Sequence, residues 1–191
     1  MFIQTEETPN PATLKFLPGL AVTGGAPVDC CSPEMAVGSP LARSLFAVDG
    51  VVAVFLGYDF ITVTRRPDAE WMVLKPMLMG AIMDHFISGL PVLEAATADG
   101  HDLGGEGGEG YDGGDSEIIL AIKDLLDQRV RPVVAQDGGD ITFHSFENGV
   151  VYLNMRGACS GCPSSVATLK NGVENLLRHY IPEVVEVRAV R

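Results

Sequence analysis

The stretch TADGHDLGGEGGEGYDGGDS, residues 97–116, carries eight glycines and six acids in twenty positions. It has almost no apolar surface to bury, and its glycines lose the most backbone entropy on ordering, so a flexible acidic tether is the expected state. A chain so interrupted cannot build one continuous core across the break. The expectation is two small domains, residues 1–96 and 117–191, joined by a linker at 97–116. The alternative, an ordered glycine-rich phosphate loop, would be lined by repelling acids and lacks a Gly-Lys-Ser/Thr ending.

Both flanks are patterned. In the second, Ile118, Ile122, Leu125, Leu126 and Arg129 recur at helical spacing, which predicts a helix over 117–131 with Ser116 as N-cap, stopped by Pro132. The segment 136–140 is a turn cluster, and runs at 141–146 and 150–155 flank Glu147-Asn148-Gly149 as a hairpin. Val166, Leu169, Val173, Leu176, Leu177 and Tyr180 then mark one face of a helix over 164–180, and 184–190 alternates as a last strand. The order is α-β-β-α-β. In the first flank the pattern predicts a strand at 13–17, a short helix at 40–47, a hairpin of 51–55 and 60–64, and a long helix at 71–88. The fold class is therefore α+β, two small α/β-layer domains. Met72, Leu74, Met79, Ile82, Met83 and Phe86 of the long helix are expected to be core, although methionines also suit an adaptable binding groove.

Charge narrows the function classes. Residues 1–96 hold five Lys+Arg and ten Asp+Glu, 97–116 none and six, and 117–191 eight and nine, which sum to the net −12. No region offers the positive footprint that phosphate backbones require, so nucleic acid is not an expected partner. Nor does any stretch have the uninterrupted apolar length of a membrane span. The start, MFIQTEETPN, has two acids and no basic residue, unlike a secretory or organellar leader. On that basis a bacterial cytoplasmic protein is expected, and its four cysteines point to metal or redox chemistry rather than structural disulfides.

Cys159-Ser-Gly-Cys162 falls between a predicted strand and a predicted helix. A helix N-terminus presents free N–H groups and the positive end of a dipole, both favouring thiolate, so the pair is expected to be acidic, nucleophilic and exposed on a loop. Three chemistries use such a pair. Structural zinc wants four ligands, and His144 and His179 do not complete a zinc-finger spacing. A dithiol oxidoreductase would use Cys159 as nucleophile and Cys162 as resolving thiol, but its element order differs from the one read here. An iron–sulfur cluster takes four thiolates, so a chain with two supplies half of a site shared between subunits.

The residues around the pair are specific. Val133-Val-Ala-Gln-Asp-Gly-Gly-Asp-Ile141 and Val151-Tyr-Leu-Asn-Met-Arg-Gly-Ala-Cys-Ser-Gly-Cys-Pro-Ser-Ser165 resemble the C-terminal domain of the NifU-like (Nfu) iron–sulfur carriers, and the match runs over 117–191. Thr8-Pro-Asn-Pro-Ala-Thr-Leu-Lys-Phe-Leu-Pro-Gly19, Ser39-Pro-Leu-Ala42, Leu45-Phe-Ala-Val-Asp-Gly50 and Ala81-Ile-Met-Asp-His-Phe86 look like the N-terminal domain that accompanies it in proteobacterial and mitochondrial members. The resemblance implies a carrier, not an enzyme, that receives a 4Fe–4S cluster from an upstream assembly donor and passes it to apo client proteins. It implies one cluster per homodimer, bridged through Cys159 and Cys162 of each subunit. Cys30 and Cys31 lie where the resemblance is weakest and are expected to be incidental thiols, and His85 to be an ordinary helix residue.

Overall fold

The computed structural model describes residues 2–94, 113–160 and 163–190. The first domain is a sheet of five antiparallel strands in the order β1-β2-β5-β4-β3, with helices on one face. The strands are β1 (Gln4–Glu7), β2 (Thr13–Leu17), β3 (Val28–Cys30), β4 (Val51–Leu56) and β5 (Ile61–Arg65). The helices are α1 (Pro40–Phe46) and α2 (Trp71–Ser88). Ser39 caps α1 by accepting the Ala42 N–H, and Pro40 needs no donor at the first helical position. Gly89, at φ 70°, ends α2 in the left-handed conformation. Strand alternation sends Leu14, Phe16, Val54, Leu56, Ile61 and Val63 into the core under the helices, where Leu41, Leu45, Leu74, Leu78 and Ile82 meet them.

Two details of α2 correct the expected core. The buried stripe is Leu74, Leu78, Ile82 and His85, while Met72 is 87% exposed. Met79, Met83 and Phe86 pack at the margin, half-buried. Apolar residues surround this helix on every side, so spacing alone could not single out the face that turns inward.

The second domain has the expected order. Helix α3 (Gly113–Leu125) passes through a wide turn at Leu126–Val130 into α4 (Arg131–Gln136). Strands β6 (Gly139–Glu147) and β7 (Val150–Gly157) form the hairpin, α5 (Pro163–Tyr180) crosses over, and β8 (Glu186–Val190) pairs parallel to β7. Asn148 at φ 49° and Gly149 at φ 79° make the tight turn of the hairpin, the conformation for which an Asn-Gly pair is suited. Pro132 does not stop the helix as expected. In the wide turn the Arg131 N–H reaches back to the Leu126 carbonyl, and the ring of Pro132 is accommodated at the start of α4. Ser116 lies inside α3 rather than capping it. The core is Ile119, Ile122, Leu126, Val130 and Val134 from the helical layer, Ile141, Leu153 and Val187 from the sheet, and Val173 and Leu177 from α5.

The tether expected at 97–116 lies outside the described residues as far as residue 112. Among the described residues no helix is long and apolar enough to cross a membrane.

Candidate functional site

Cys159 sits in the turn that leaves β7. Gly157 ends the strand at φ 63°, the Ala158 N–H donates to the Gly138 carbonyl (3.1 Å), and the Ser160 N–H and hydroxyl both donate to the Gly157 carbonyl (3.0 and 2.8 Å). Its partner in the motif, Cys162, lies with Gly161 outside the described residues, so the pair itself is not placed. Among the described residues no group of three or more His, Cys, Asp and Glu is arranged to hold a metal ion.

The expectation of an exposed, acidic Cys159 is corrected. The residue is 5% exposed and belongs to the core of the second domain. Its sulfur packs on Gly139, where an added Cβ would stand 2.4 Å from Sγ and 2.8 Å from the Arg156 carbonyl oxygen. Burial pushes the thiol up to about 12, and the carboxylates of Asp137 and Asp140 add to the shift. The dipole of α5 is outweighed in this conformation, because removing a thiolate from water costs more than a helix terminus returns. Beside it, Arg131 donates through Nε and Nη2 to the two carboxylate oxygens of Asp140 (2.8 and 3.1 Å), tying α4 to the start of β6.

The other thiols are elsewhere. Cys30 is buried in the first domain's core, its thiol directed to the Met35 carbonyl (3.5 Å), and burial with the nearby Asp29 raises it to about 11. Cys31 is exposed and points to Asp29 Oδ2 (3.6 Å). His85 is buried in α2, edge-on to Phe86, with Nε2 unpartnered among the described residues, and burial lowers its pKa.

One feature of the surroundings was not anticipated. The sheet face of the first domain that points away from its helices rests on the Cys159 end of the second domain. Glu6, Lys15, Thr62, Phe55 and Asp29 are register partners, one from each of the five strands, and form a single row across that face. Lys15 Nζ donates to the Gln136 carbonyl (3.0 Å), pairs with Glu6 (3.3 Å) and stands 5.0 Å from the Phe60 ring centroid. A Cβ on Gly138 would lie 2.7 Å from Thr62 Cγ2, and one on Gly157 would lie 3.0 Å from Phe55 Cγ. Burial raises the pKa of Asp29, against the lowering effects of the Cys31 thiol, the charge of Arg156 and the Gly157 N–H. The only hint in the sequence was the polar alternation of Lys15, Thr62 and Thr64 in otherwise apolar strands, which by itself reads as a solvated face.

Two family models match the chain, one within each domain. Residues 122–188 match the NifU-like domain, and residues 3–89 match the N-terminal domain of the scaffold protein Nfu/NifU. The chain is 53% identical, over its whole length, to the proteins named NFU1 iron-sulfur cluster scaffold homolog, mitochondrial, of Drosophila ananassae and Drosophila persimilis. It spans 64% and 65% of their lengths. A solution structure of a NifU-like protein from Saccharomyces cerevisiae aligns at 26% identity with a TM-score of 0.45, covering 49% of this chain and 84% of that one. These relatives overturn the expected bacterial cytoplasmic location, since both are named as mitochondrial. A leader is a separable segment, so the charge of ten residues does not fix a compartment. With both domain types present in order, the chain belongs to the NifU-like (Nfu) family.

Proposed function

We propose that this chain is an iron–sulfur cluster scaffold and carrier whose cargo is a 4Fe–4S cluster held between two subunits, with Cys159 and Cys162 of each supplying the four thiolates. The observation that carries the reading is the position of Cys159, in the turn between β7 and α5 of a domain that matches the NifU-like family. The names of the relatives support an iron–sulfur role. Thiolate sulfur suits the cargo chemically.

The conformation of Cys159 has a consequence for loading. Its sulfur faces Gly139 and the core, so coordination requires the 157–160 turn to swing outward and exchange its hydrogen bonds to the Gly157 carbonyl. Once outside, the thiol regains water or meets iron, and either environment favours loss of its proton. Release to an apo client is then ligand exchange, in which the client's thiolates replace those of the carrier with no turnover of a substrate. The 4Fe–4S type, the bridging dimer, the clients and an upstream donor belong to this proposal.

Anaerobic reconstitution with iron and sulfide, followed by size-exclusion chromatography with metal analysis, tests it. About four iron and four sulfide should elute per dimer, and Cys162→Ser should lose stable cluster retention. A cluster-loaded monomer, or a serine variant with full iron content, would falsify the bridging mechanism. A chain that takes up no iron but cycles Cys159 and Cys162 between dithiol and disulfide would favour the oxidoreductase reading.

A further inference from the structure

The contact between the domains lies at the one end of the second domain where a cluster shared between subunits has to sit. Lys15 meets the Gln136 carbonyl, Thr62 meets Gly138, and Phe55 meets Gly157. Residues 136–138 lead directly into Gly139, and Gly157 leads into Cys159, so the row meets the residues that adjoin both segments enclosing the thiol. The approach is close. Gly138 (φ 79°) lacks room for a Cβ because Thr62 Cγ2 of the first domain already fills it, and at Gly157 (φ 63°) Phe55 Cγ stands 3.0 Å from that position beside the second domain's own Gly138 carbonyl at 2.8 Å. While that face is docked, the first domain fills the space beside Gly138 and stands against Gly157.

The contact is also built to come apart. The two apolar cores share no residue, and the covering row is polar at Glu6, Lys15, Thr62 and Asp29, with Phe55 between them and the Phe60 ring beside it (centroids 5.9 Å). On separation Lys15 and Asp29 regain water, and neither core is opened.

We propose that the outer sheet face of the first domain is an intramolecular cap, which docks on the Cys159 turn and has to leave before a second subunit approaches. This rests on the bridged-cluster reading above for the identity of the competitor, but the docking itself is independent of any cluster. Undocked, the cysteine end is open to a second subunit. Docked, the thiol is held inward and unavailable.

The full-length apo chain and two variants provide the test. Thr62→Arg places a long cation against Gly138 from the outer face, leaving the first domain's core untouched, and Lys15→Ala removes the tie to Gln136 without adding bulk. Alkylation of Cys159 by iodoacetamide, read by peptide mass spectrometry, should be about tenfold faster in Thr62→Arg and several-fold faster in Lys15→Ala, because both raise the population of the open state. Should Thr62→Arg fail to fold by circular dichroism, Lys15→Ala decides alone. Rates within about twofold of the wild type in the folded variants overturn the cap. In the wild type, amide hydrogen exchange at 136–139 and 157–160 should accelerate on cluster loading, and unchanged protection in the loaded dimer also overturns it. An iron-loaded monomer refutes the bridging reading instead, while the alkylation rates of the apo chain still decide the cap.

Discussion

The sulfur of Cys159 lies directly on Gly139, so close that a single methyl group at 139 would stand 2.4 Å from it. The same methyl would lie 2.8 Å from the Arg156 carbonyl oxygen and 3.1 Å from the Cys159 nitrogen. Those are backbone atoms of the paired strand and of the turn that leaves it, which cannot move aside as a side chain can. Gly139→Ala should therefore destabilise the second domain by about 1–3 kcal/mol, the usual cost of overpacking. Urea denaturation followed by circular dichroism measures it. A change below about 0.5 kcal/mol would mean that the thiol is not packed on Gly139 in solution.

The thiols should separate by reactivity. Burial raises Cys30 to about 11 and Cys159 to about 12, so near pH 8 almost all of each is protonated and shielded. Among the described thiols Cys31, exposed beside Asp29, should be alkylated first. For Cys30 and Cys159 the rate should climb roughly tenfold per pH unit between about pH 8 and 10 without a plateau, as the thiolate fraction grows. Cys31→Ser should leave iron uptake unchanged, because its side chain is on the first domain and is not gathered with other ligands among the described residues. A marked fall in iron content would make Cys31 a ligand.

His85 predicts a pH dependence of the first domain alone. Its burial holds the folded pKa below the ordinary value of 6.5, so between those two values the unfolded chain binds more protons than the folded one. Stability therefore rises with pH in that window, and is lost as pH falls from about 6.5 toward the folded pKa. Trp71 is the only tryptophan and begins α2, so its fluorescence reports unfolding of this domain. The urea midpoint should fall between pH 7.5 and 5.5 in the wild type, and by less in His85→Gln. Equal slopes in the two proteins would assign the acid sensitivity to another group.

What could be read from the sequence was local. Asn148-Gly149 marks the hairpin because its backbone requires positive φ at both residues, and the period of Leu169, Val173, Leu176 and Leu177 marks α5. Strands β1 and β3 escaped notice: Gln4–Glu7 is wholly polar and Val28–Cys30 is too short to alternate, so each exists only because the neighbouring strand offers it a ladder. The same limit applies to the site. Cys159 was legible as a strand-to-helix cysteine, but its burial depends on Gly139, twenty positions away, and the other domain's contact falls on the adjoining Gly138 and Gly157. Non-local packing of that kind leaves no periodic trace.

The domain boundaries lead to a final prediction. One core runs from Ile3 to Ile82 and the other from Ile119 to Val187, with no shared member. What lies between them is a row of four polar side chains with Phe55, the neighbouring Phe60 and two backbone turns, all outside either core. Residues 113–191 expressed alone should therefore fold, with the helical circular dichroism of α3 and α5 and one cooperative urea transition. Cluster uptake should survive as well, since both motif cysteines are within this piece. An unfolded fragment would show that the first domain's sheet is part of the second domain's core, and would move the boundary. A folded fragment that takes up no iron would instead place a necessary ligand in the first domain.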